Sequence, residues 1–173
     1  MDEETFLQIL QVKRRGNDMF RKKNYERALE IYGRTHGMDM QFQLGCFLAG
    51  EQRAEKVNIL SNEAECYLRL REYAQAQMKA SEALALDKRH EKSLVRRAKA
   101  TYYGDIKTGH MIQSNPLAAG MAEEDLKMVI RMGGSGAEDT QKPLDEINIA
   151  VEKELERFHK GKPTDRLITD DYN

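Results

Sequence analysis

The stretch NEAECYLRLREYAQAQMKASEALAL, residues 62–86, places small residues and aromatics at helical spacing. Ala64 and Tyr67 lie in its first half, and Tyr73 and Ala76 open its second half. Small side chains at such steps let two helices approach each other closely, and aromatics fill the space beside them. The stretch therefore predicts a hairpin of two packed helices.

The same pattern occurs on both sides of this hairpin. Ala98 follows Ala64 by 34 residues, in the segment EKSLVRRAKATYY at 91–103. Upstream, the segment KRRGNDMFRKKNYERALEIY at 13–32 places Gly16 where the hairpin has Ala64. A fixed period of this length is typical of stacked repeats that share one continuous core. We predict three repeats, at about 8–40, 55–90 and 91–132.

Two interruptions break the 34-residue spacing. Gly16 precedes Ala64 by 48 residues, which is 34 + 14. In the third repeat, an alanine is expected at position 110, but the matching residue comes twelve residues later, at Ala122. We therefore predict insertions at about 38–53 and 104–120. The first insertion is apolar, which indicates either lengthened helices packed on the domain or a second protein-binding surface. Its apolar residues are Phe42, Leu44, Cys46, Phe47 and Leu48.

The end of the chain predicts one more helix. The GGSG break at 133–136 ends the third repeat, and TQKPLDEINIAVEKELERF at 140–158 carries one apolar stripe at helical steps. The stripe comprises Leu144, Ile147, Val151, Leu155 and Phe158. We predict a capping helix at about 140–160 that completes a domain at 1–162, followed by a flexible tail at 163–173.

Composition limits the classes of protein and partner. Of the 173 residues, 40% are hydrophobic and 33% charged, with three prolines and no tryptophan, which favours a single all-helical domain. A net charge of −1 provides no general attraction for nucleic acid or acidic membranes. No apolar run reaches membrane-spanning length, and the acidic N-terminus does not resemble a signal peptide. We expect a cytoplasmic protein, with Cys46 and Cys66 reduced.

The 34-residue helical hairpin, with small residues where its helices touch, resembles the tetratricopeptide repeat. The resemblance implies an all-α fold: a right-handed stack of three helical hairpins plus a seventh, capping helix. In such stacks the first helices of the hairpins line a concave groove.

Five polar residues lie on these first helices, at positions 5 and 9 of the first repeat, position 6 of the second, and positions 2 and 6 of the third. K-x-x-x-N in the first repeat, N in the second and K-x-x-x-R in the third resemble the dicarboxylate clamp of co-chaperone tetratricopeptide domains. They are Lys13, Asn17, Asn62, Lys92 and Arg96. The resemblance implies that the first three hold the terminal carboxylate of the EEVD peptide of heat-shock protein 90 or 70. The last two would hold the side chain of its final Asp.

Four more residues fall at groove positions of the repeats. Phe20 and Tyr102 either receive an apolar peptide side chain or pack in the core. Glu65 would repel an acidic peptide unless Lys13, Lys99 or another cation neutralises it. Lys99 occupies the position in the third repeat that Glu65 has in the second, so we expect it to be well placed to do so.

The segments YLRLREYAQAQMKASEALALD and EKSLVRRA most resemble the large immunophilins and their aryl-hydrocarbon-receptor-interacting relatives. We predict a non-enzymatic adaptor for heat-shock chaperones, with a client protein as a further partner. The chain has no room for the isomerase-like domain that precedes the repeats in those relatives. We therefore expect a solitary adaptor or the C-terminal regulatory domain of a larger immunophilin-like protein.

Two other functions are compatible with the sequence. One is a scaffold whose repeats bind a different partner, and Glu65 favours it because a groove carboxylate disfavours an acidic peptide. The other is an enzyme. The four histidines show no metal-ligand spacing and no catalytic constellation is recognisable, so we predict no catalysis, no metal and no cofactor.

Overall fold

The computed structural model of the chain describes residues 1–39, 42, 48, 50–106, 116–133, 145 and 149. Within these residues the secondary structure is helical. The α-helices are α1 (Glu3–Arg21), α2 (Tyr25–Gly33), α3 (Gly50–Arg69), α4 (Tyr73–Leu86), α5 (Glu91–Thr101) and α6 (Pro116–Met132). A 3-10 turn at Arg34–Gly37 follows α2, and a π-helical segment at Tyr102–Ile106 follows α5.

Local sequence determines where the first two helices begin. The Asp2 carboxylate accepts a hydrogen bond from the Thr5 backbone N–H at 2.8 Å, and the Asn24 side chain accepts one from Arg27 N–H at 3.2 Å. Such caps satisfy amide groups that the first helical turn leaves unpaired. The N-terminal ends of α1 and α2 are therefore well defined.

The tight turns inside the first two hairpins have the same backbone conformation. Lys23 and Arg71 have φ angles of +59° and +62°, a left-handed conformation that residues other than glycine rarely adopt. They are 48 residues apart in sequence, the same separation as Gly16 and Ala64. The backbone thus repeats the spacing that the small residues predicted.

The helices pack as three successive hairpins, α1 on α2, α3 on α4 and α5 on α6, and α3 also contacts α1, α2 and α5. Gly16 is required where α1 meets α2, because a Cβ atom there would overlap the Tyr32 ring. Ala64 and Ala98 are fully buried at the matching positions of the next two hairpins. The all-α stack of hairpins predicted from the sequence is confirmed.

Parts of both predicted insertions are described. Phe42 and Leu48 are buried in the core formed between α1, α2 and α3, which favours the packed interpretation for these two residues. Leu44, Cys46 and Phe47 lie outside the described residues. Because α3 begins at Gly50 and α6 at Pro116, the last residues of each predicted insertion are helical. Proline suits a first helical turn, where its missing N–H would have no partner.

A bidentate ion pair joins α5 to α6. Arg97 Nε and Nη2 each donate to the carboxylate of Asp125 at 2.7 Å, and Asp125 is only 5% exposed. This geometry holds the two helices of the third hairpin together.

The predicted capping helix and tail lie outside the described residues, apart from two positions. Asp145 and Ile149 are helical and exposed. Neither belongs to the predicted apolar stripe, so burial of that stripe stays a prediction. Within the described residues, no helix has both the length and the apolar character needed to cross a bilayer.

Candidate peptide-binding groove

A cavity of about 240 Å³ lies where α1, α3 and α5 face one another. Five residues predicted from the sequence line it: Asn17, Phe20, Asn62, Glu65 and Arg96. Arg21 and Tyr32 complete the lining. The stack therefore brings together residues from three repeats, as the predicted clamp requires.

Hydrogen bonds connect the two asparagines across the floor of this cavity. The Asn17 side-chain oxygen, Oδ1, accepts from Asn62 Nδ2 at 3.1 Å and from the Tyr32 hydroxyl at 2.6 Å. Tyr32 is fully buried, with its ring held against Gly16. The asparagines are thus prearranged before any ligand arrives.

Arg96 is already paired inside the cavity. Its Nε donates to Glu65 Oε2 at 3.1 Å, and its Nη1 donates to the Ser61 hydroxyl. Glu65 Oε1 accepts from Arg69 Nε at 2.8 Å. Burial lowers the pKa of Arg96, and the charge of Glu65 opposes that shift.

These contacts correct the expectation about Lys99. The cations that neutralise Glu65 are Arg96 and Arg69, whereas Lys99 does not line the cavity. Arg69 is one turn from Glu65 on the same helix, and Arg96 reaches it from the neighbouring repeat. The planar guanidinium forks suit a carboxylate better than a single ammonium group does.

The predicted clamp lysines lie outside the cavity lining. Lys13 on α1 is half-buried and forms an ion pair with Glu55 of α3, so its charge is directed toward that carboxylate. Lys92 on α5 is exposed, and Lys99 is half-buried on the same helix. The cavity thus assembles Asn17, Asn62 and Arg96, and does not include Lys13 or Lys92.

The two aromatic candidates have different surroundings. Phe20 lines the cavity and also meets the Tyr25 ring edge-on, with a centroid distance of 5.4 Å. Tyr102 does not line the cavity. The centroid of its ring lies 5.1 Å from that of Tyr103, and the Tyr103 ring stacks on Tyr73 with a centroid distance of 6.0 Å. Tyr102 therefore fits the packing alternative, while Phe20 combines packing with a place at the cavity wall.

Solved structures reproduce this arrangement of helices, although no protein-family model matches the chain. The C-terminal tetratricopeptide-containing domain of a putative FK506-binding protein from Plasmodium falciparum is 21% identical, with a TM-score of 0.68 over 92% of this chain and 96% of that one. The chain has the tetratricopeptide-repeat fold.

Two further tetratricopeptide structures are similar. The second such domain of human RPAP3, solved with the HSP70 peptide SGPTIEEVD, is 23% identical, with a TM-score of 0.60 over 83% of this chain and 98% of that one. The Hsp90 co-chaperone Cns1 of Saccharomyces cerevisiae is 17% identical, with a TM-score of 0.65 over 92% of this chain and 45% of that one. At these identities the likeness establishes the fold.

Several residues of the groove were missed from the sequence: Tyr32, Glu55, Ser61 and Arg69. A polar stripe along α3 could have revealed two of them. Steps of three and four residues place Glu55, Asn58, Asn62, Glu65 and Arg69 on one face of this helix. We call this face the groove stripe. Its Asn58 lines a second cavity of about 330 Å³, which His90 also lines.

Another face of α3 carries a second set of charges, next to Phe42. Glu63 Oε1 meets His36 Nε2 at 2.8 Å, and Lys56 Nζ lies 2.9 Å from His36 Nδ1 and 5.0 Å from the centre of the Phe42 ring. We call Glu63, His36 and Lys56 the buried charge cluster. Because the Lys56 ammonium only donates, His36 Nδ1 accepts, and its Nε2–H donates to Glu63.

Among the described residues, no three His, Cys, Asp or Glu side chains are arranged to hold a metal ion. Cys66 is buried in the core, where burial raises the pKa of its thiol to about 12. A thiol that stays protonated is a poor nucleophile. The chemistry that the described groove offers is recognition by hydrogen bonds and charge.

Proposed function

We propose that the chain is a non-enzymatic co-chaperone adaptor that binds the C-terminal EEVD peptide of heat-shock protein 90, heat-shock protein 70 or both. One observation carries the proposal. Asn17, Asn62 and Arg96, from three different repeats, line a single cavity of about 240 Å³. A cavity lined by two amides and a guanidinium is chemically suited to a carboxylate.

The ends of the groove add the remaining charge. Lys13 lies one helical turn from Asn17, and Lys92 one turn from Arg96, so each long side chain can reach a ligand that occupies the cavity. Lysine supplies a mobile point charge, and arginine supplies a planar fork. Each charge-assisted hydrogen bond contributes roughly 1.5–3 kcal/mol, and several of them offset the ordering of a short peptide. We expect a micromolar dissociation constant, equivalent to about −8 kcal/mol.

The solved relatives support this choice of partner. The RPAP3 domain was solved with a peptide that ends in EEVD, and Cns1 is described as an Hsp90 co-chaperone. The likeness to the Plasmodium domain also fits a second possibility, that the chain acts as the regulatory C-terminal part of a larger immunophilin-like protein.

A scaffold for another partner is the alternative, and the charge pairs of the groove favour it. Glu55 holds Lys13, and Glu65 holds Arg96, so two of the proposed clamp cations are already neutralised. An acidic peptide must compete with the carboxylates of Glu55 and Glu65. A partner that carries cations beside its own carboxylate could instead form ion pairs with these two groups. The two possibilities differ in whether a free acidic terminus is required.

Calorimetric titration with MEEVD and IEEVD peptides, each also in amidated form, tests the proposal. We expect micromolar binding of the free acids and a loss of at least tenfold, about 1.4 kcal/mol, on amidation. Arg96→Ala should weaken binding of the acid by roughly 1.5–3 kcal/mol.

Lys88→Ala is the matched control, because it removes a cation from an exposed position outside the cavity lining. Equal binding of acid and amide, or wild-type affinity in Arg96→Ala, would contradict the chaperone-tail assignment. The scaffold alternative would then be the better one.

A further inference from the structure

The two asparagines of the cavity can present either oxygen or N–H groups to a ligand. An amide can turn about its terminal bond and exchange its acceptor for its donors. Only the N–H orientation suits a carboxylate, because two oxygens facing each other would repel. Something in the protein must therefore fix the orientation for the proposed site to recognise a free chain terminus.

Asn17 already uses its oxygen inside the protein. Its Oδ1 accepts from the Tyr32 hydroxyl at 2.6 Å and from Asn62 Nδ2 at 3.1 Å. A carbonyl oxygen has two lone pairs, so these two donors occupy its acceptor capacity. Among the described residues, no hydrogen bond uses the two hydrogens on Asn17 Nδ2, so they are left for a ligand in the cavity.

Tyr32 is the more rigid of the two donors. Its side chain is fully buried, and its ring fills the space that the absent Cβ of Gly16 leaves open. Burial raises the pKa of Tyr32, so its hydroxyl keeps the proton that it donates. Asn62, by contrast, is only half-buried and can respond to a ligand.

We propose that Tyr32 is a positioning residue that holds the Asn17 amide with its donors toward the cavity and thereby makes the groove prefer a terminal carboxylate over a carboxamide. The inference rests on the proposed function, since it concerns how the same cavity reads a chain terminus. An amidated peptide carries an NH₂ group that would meet the NH₂ of Asn17. Tyr32 thus acts on ligand choice through the Asn17 amide.

Tyr32→Phe tests this role because it keeps the ring against Gly16 and removes only the hydroxyl. Without that donor only the Asn62 N–H holds the Asn17 oxygen, so the amide can turn more easily and offer its oxygen to a carboxamide. We expect free-acid peptide to bind on the order of threefold to tenfold more weakly, while the amidated peptide binds equally well or better. The ratio of the two dissociation constants should therefore fall at least threefold.

Tyr67→Phe is the matched control, since it removes a hydroxyl from a half-buried tyrosine of α3 outside the cavity lining. A general loss of stability would weaken acid and amide binding alike and leave their ratio unchanged. A wild-type preference for the acid that survives intact in Tyr32→Phe would overturn the inference alone. Equal wild-type binding of acid and amide would overturn the proposed function and the inference together.

A measurement on the wild-type protein covers the case in which Tyr32→Phe does not fold. In a ¹⁵N-labelled sample, the side-chain NH₂ signals of Asn17 can be assigned by their loss in Asn17→Ser. We expect both hydrogens to shift strongly when the free-acid peptide is added and weakly when the amidated peptide is added. Equal shifts with both peptides would contradict the proposed orientation.

Discussion

Helix α3 carries charge on two faces, and the two regions differ in how far water and ligands can reach them. On the groove stripe, the Glu65 side chain is 18% exposed and forms ion pairs with Arg96 and Arg69. In the buried charge cluster, the Glu63 side chain is only 4% exposed. These carboxylates are two residues apart in sequence, yet one lines a cavity and the other supports the core.

The two carboxylates differ in whether a ligand can take their place in the ion pair. A ligand carboxylate can replace Glu65 at Arg96, because the pair opens onto a cavity. Glu63 has no such access, and among the described residues its Oε2 has no hydrogen-bond partner, with the Lys79 ammonium 4.0 Å away. Removing one member of a buried charge pair leaves the other without compensation. Residue type alone therefore does not distinguish a binding site from a structural ion pair.

The largest effect should come from the apolar cover of the buried cluster. Phe42→Ala removes a fully buried ring that contacts the Lys56 ammonium, so we expect the free energy of unfolding to fall by roughly 3–5 kcal/mol. Urea denaturation followed by circular dichroism measures the change. Met78→Ala is the control, because Met78 is a large apolar residue that is 52% exposed. A Phe42→Ala protein as stable as Met78→Ala would favour a second binding surface in the first insertion.

The next prediction compares two identical substitutions on one helix. Glu63→Gln keeps an acceptor for His36 but removes the charge opposite Lys56, so we expect a loss of roughly 1–3 kcal/mol in the free energy of unfolding. Glu65→Gln should cost less, because its pairs are partly exposed to water. Urea unfolding of both variants measures the difference. Equal losses would mean that exposure does not separate the two regions.

Much of the fold could be predicted from the sequence because small residues recur with the repeat. Gly16, Ala64 and Ala98 identified the three hairpins, and the resemblance to the dicarboxylate clamp identified Asn17, Asn62 and Arg96, which line the cavity. Partner choice among long charged side chains could not be predicted. Such side chains reach several neighbours, and only the packed helices determine which one lies closest.

The buried charge cluster was beyond prediction for a related reason. His36 meets Glu63 and Lys56 only because of how the segment after α2 packs on α3. His36 lies in the turn at Arg34–Gly37, at the end of the first repeat and just before the first predicted insertion, where the hairpin pattern gives no positional information. The predicted capping helix has no structural test, because its apolar stripe lies outside the described residues.

On the groove side, Glu65→Gln should change binding more than stability. The substitution removes the carboxylate that competes with an acidic peptide for Arg96, so we expect tighter binding by roughly 0.5–1.5 kcal/mol. Calorimetry at low and high salt measures it, and the gain should shrink as salt screens the charges. Glu30→Gln is the control, since it removes the same charge from an exposed ion-paired position on α2. Unchanged or weaker binding would show that Glu65 helps to position Arg96 for the ligand.

The smallest effect concerns a histidine at the edge of the groove. His90 precedes α5 and is half-buried. Burial lowers the pKa of His90 below its ordinary value of 6.5; the nearby cations of Arg96 and Lys92 act in the same direction, and Asp87 opposes them. Between the lowered pKa and 6.5, the unfolded chain binds more protons than the folded one, so the free energy of unfolding rises with pH there. The contribution of His90 is therefore fully present above about pH 6.5 and is lost as pH falls through the folded-state pKa.

His90→Gln should remove this part of the pH dependence, because glutamine does not titrate. Urea unfolding of both proteins between about pH 5 and 7.5 should show the wild type losing stability faster on acidification. The two proteins differ only at residue 90, so the difference between their curves isolates the contribution of His90. Parallel curves would mean that His90 titrates alike in the folded and unfolded chains. A steeper curve for His90→Gln would show that protonated His90 is stabilised in the fold, with the charge of Asp87 outweighing burial and the cations.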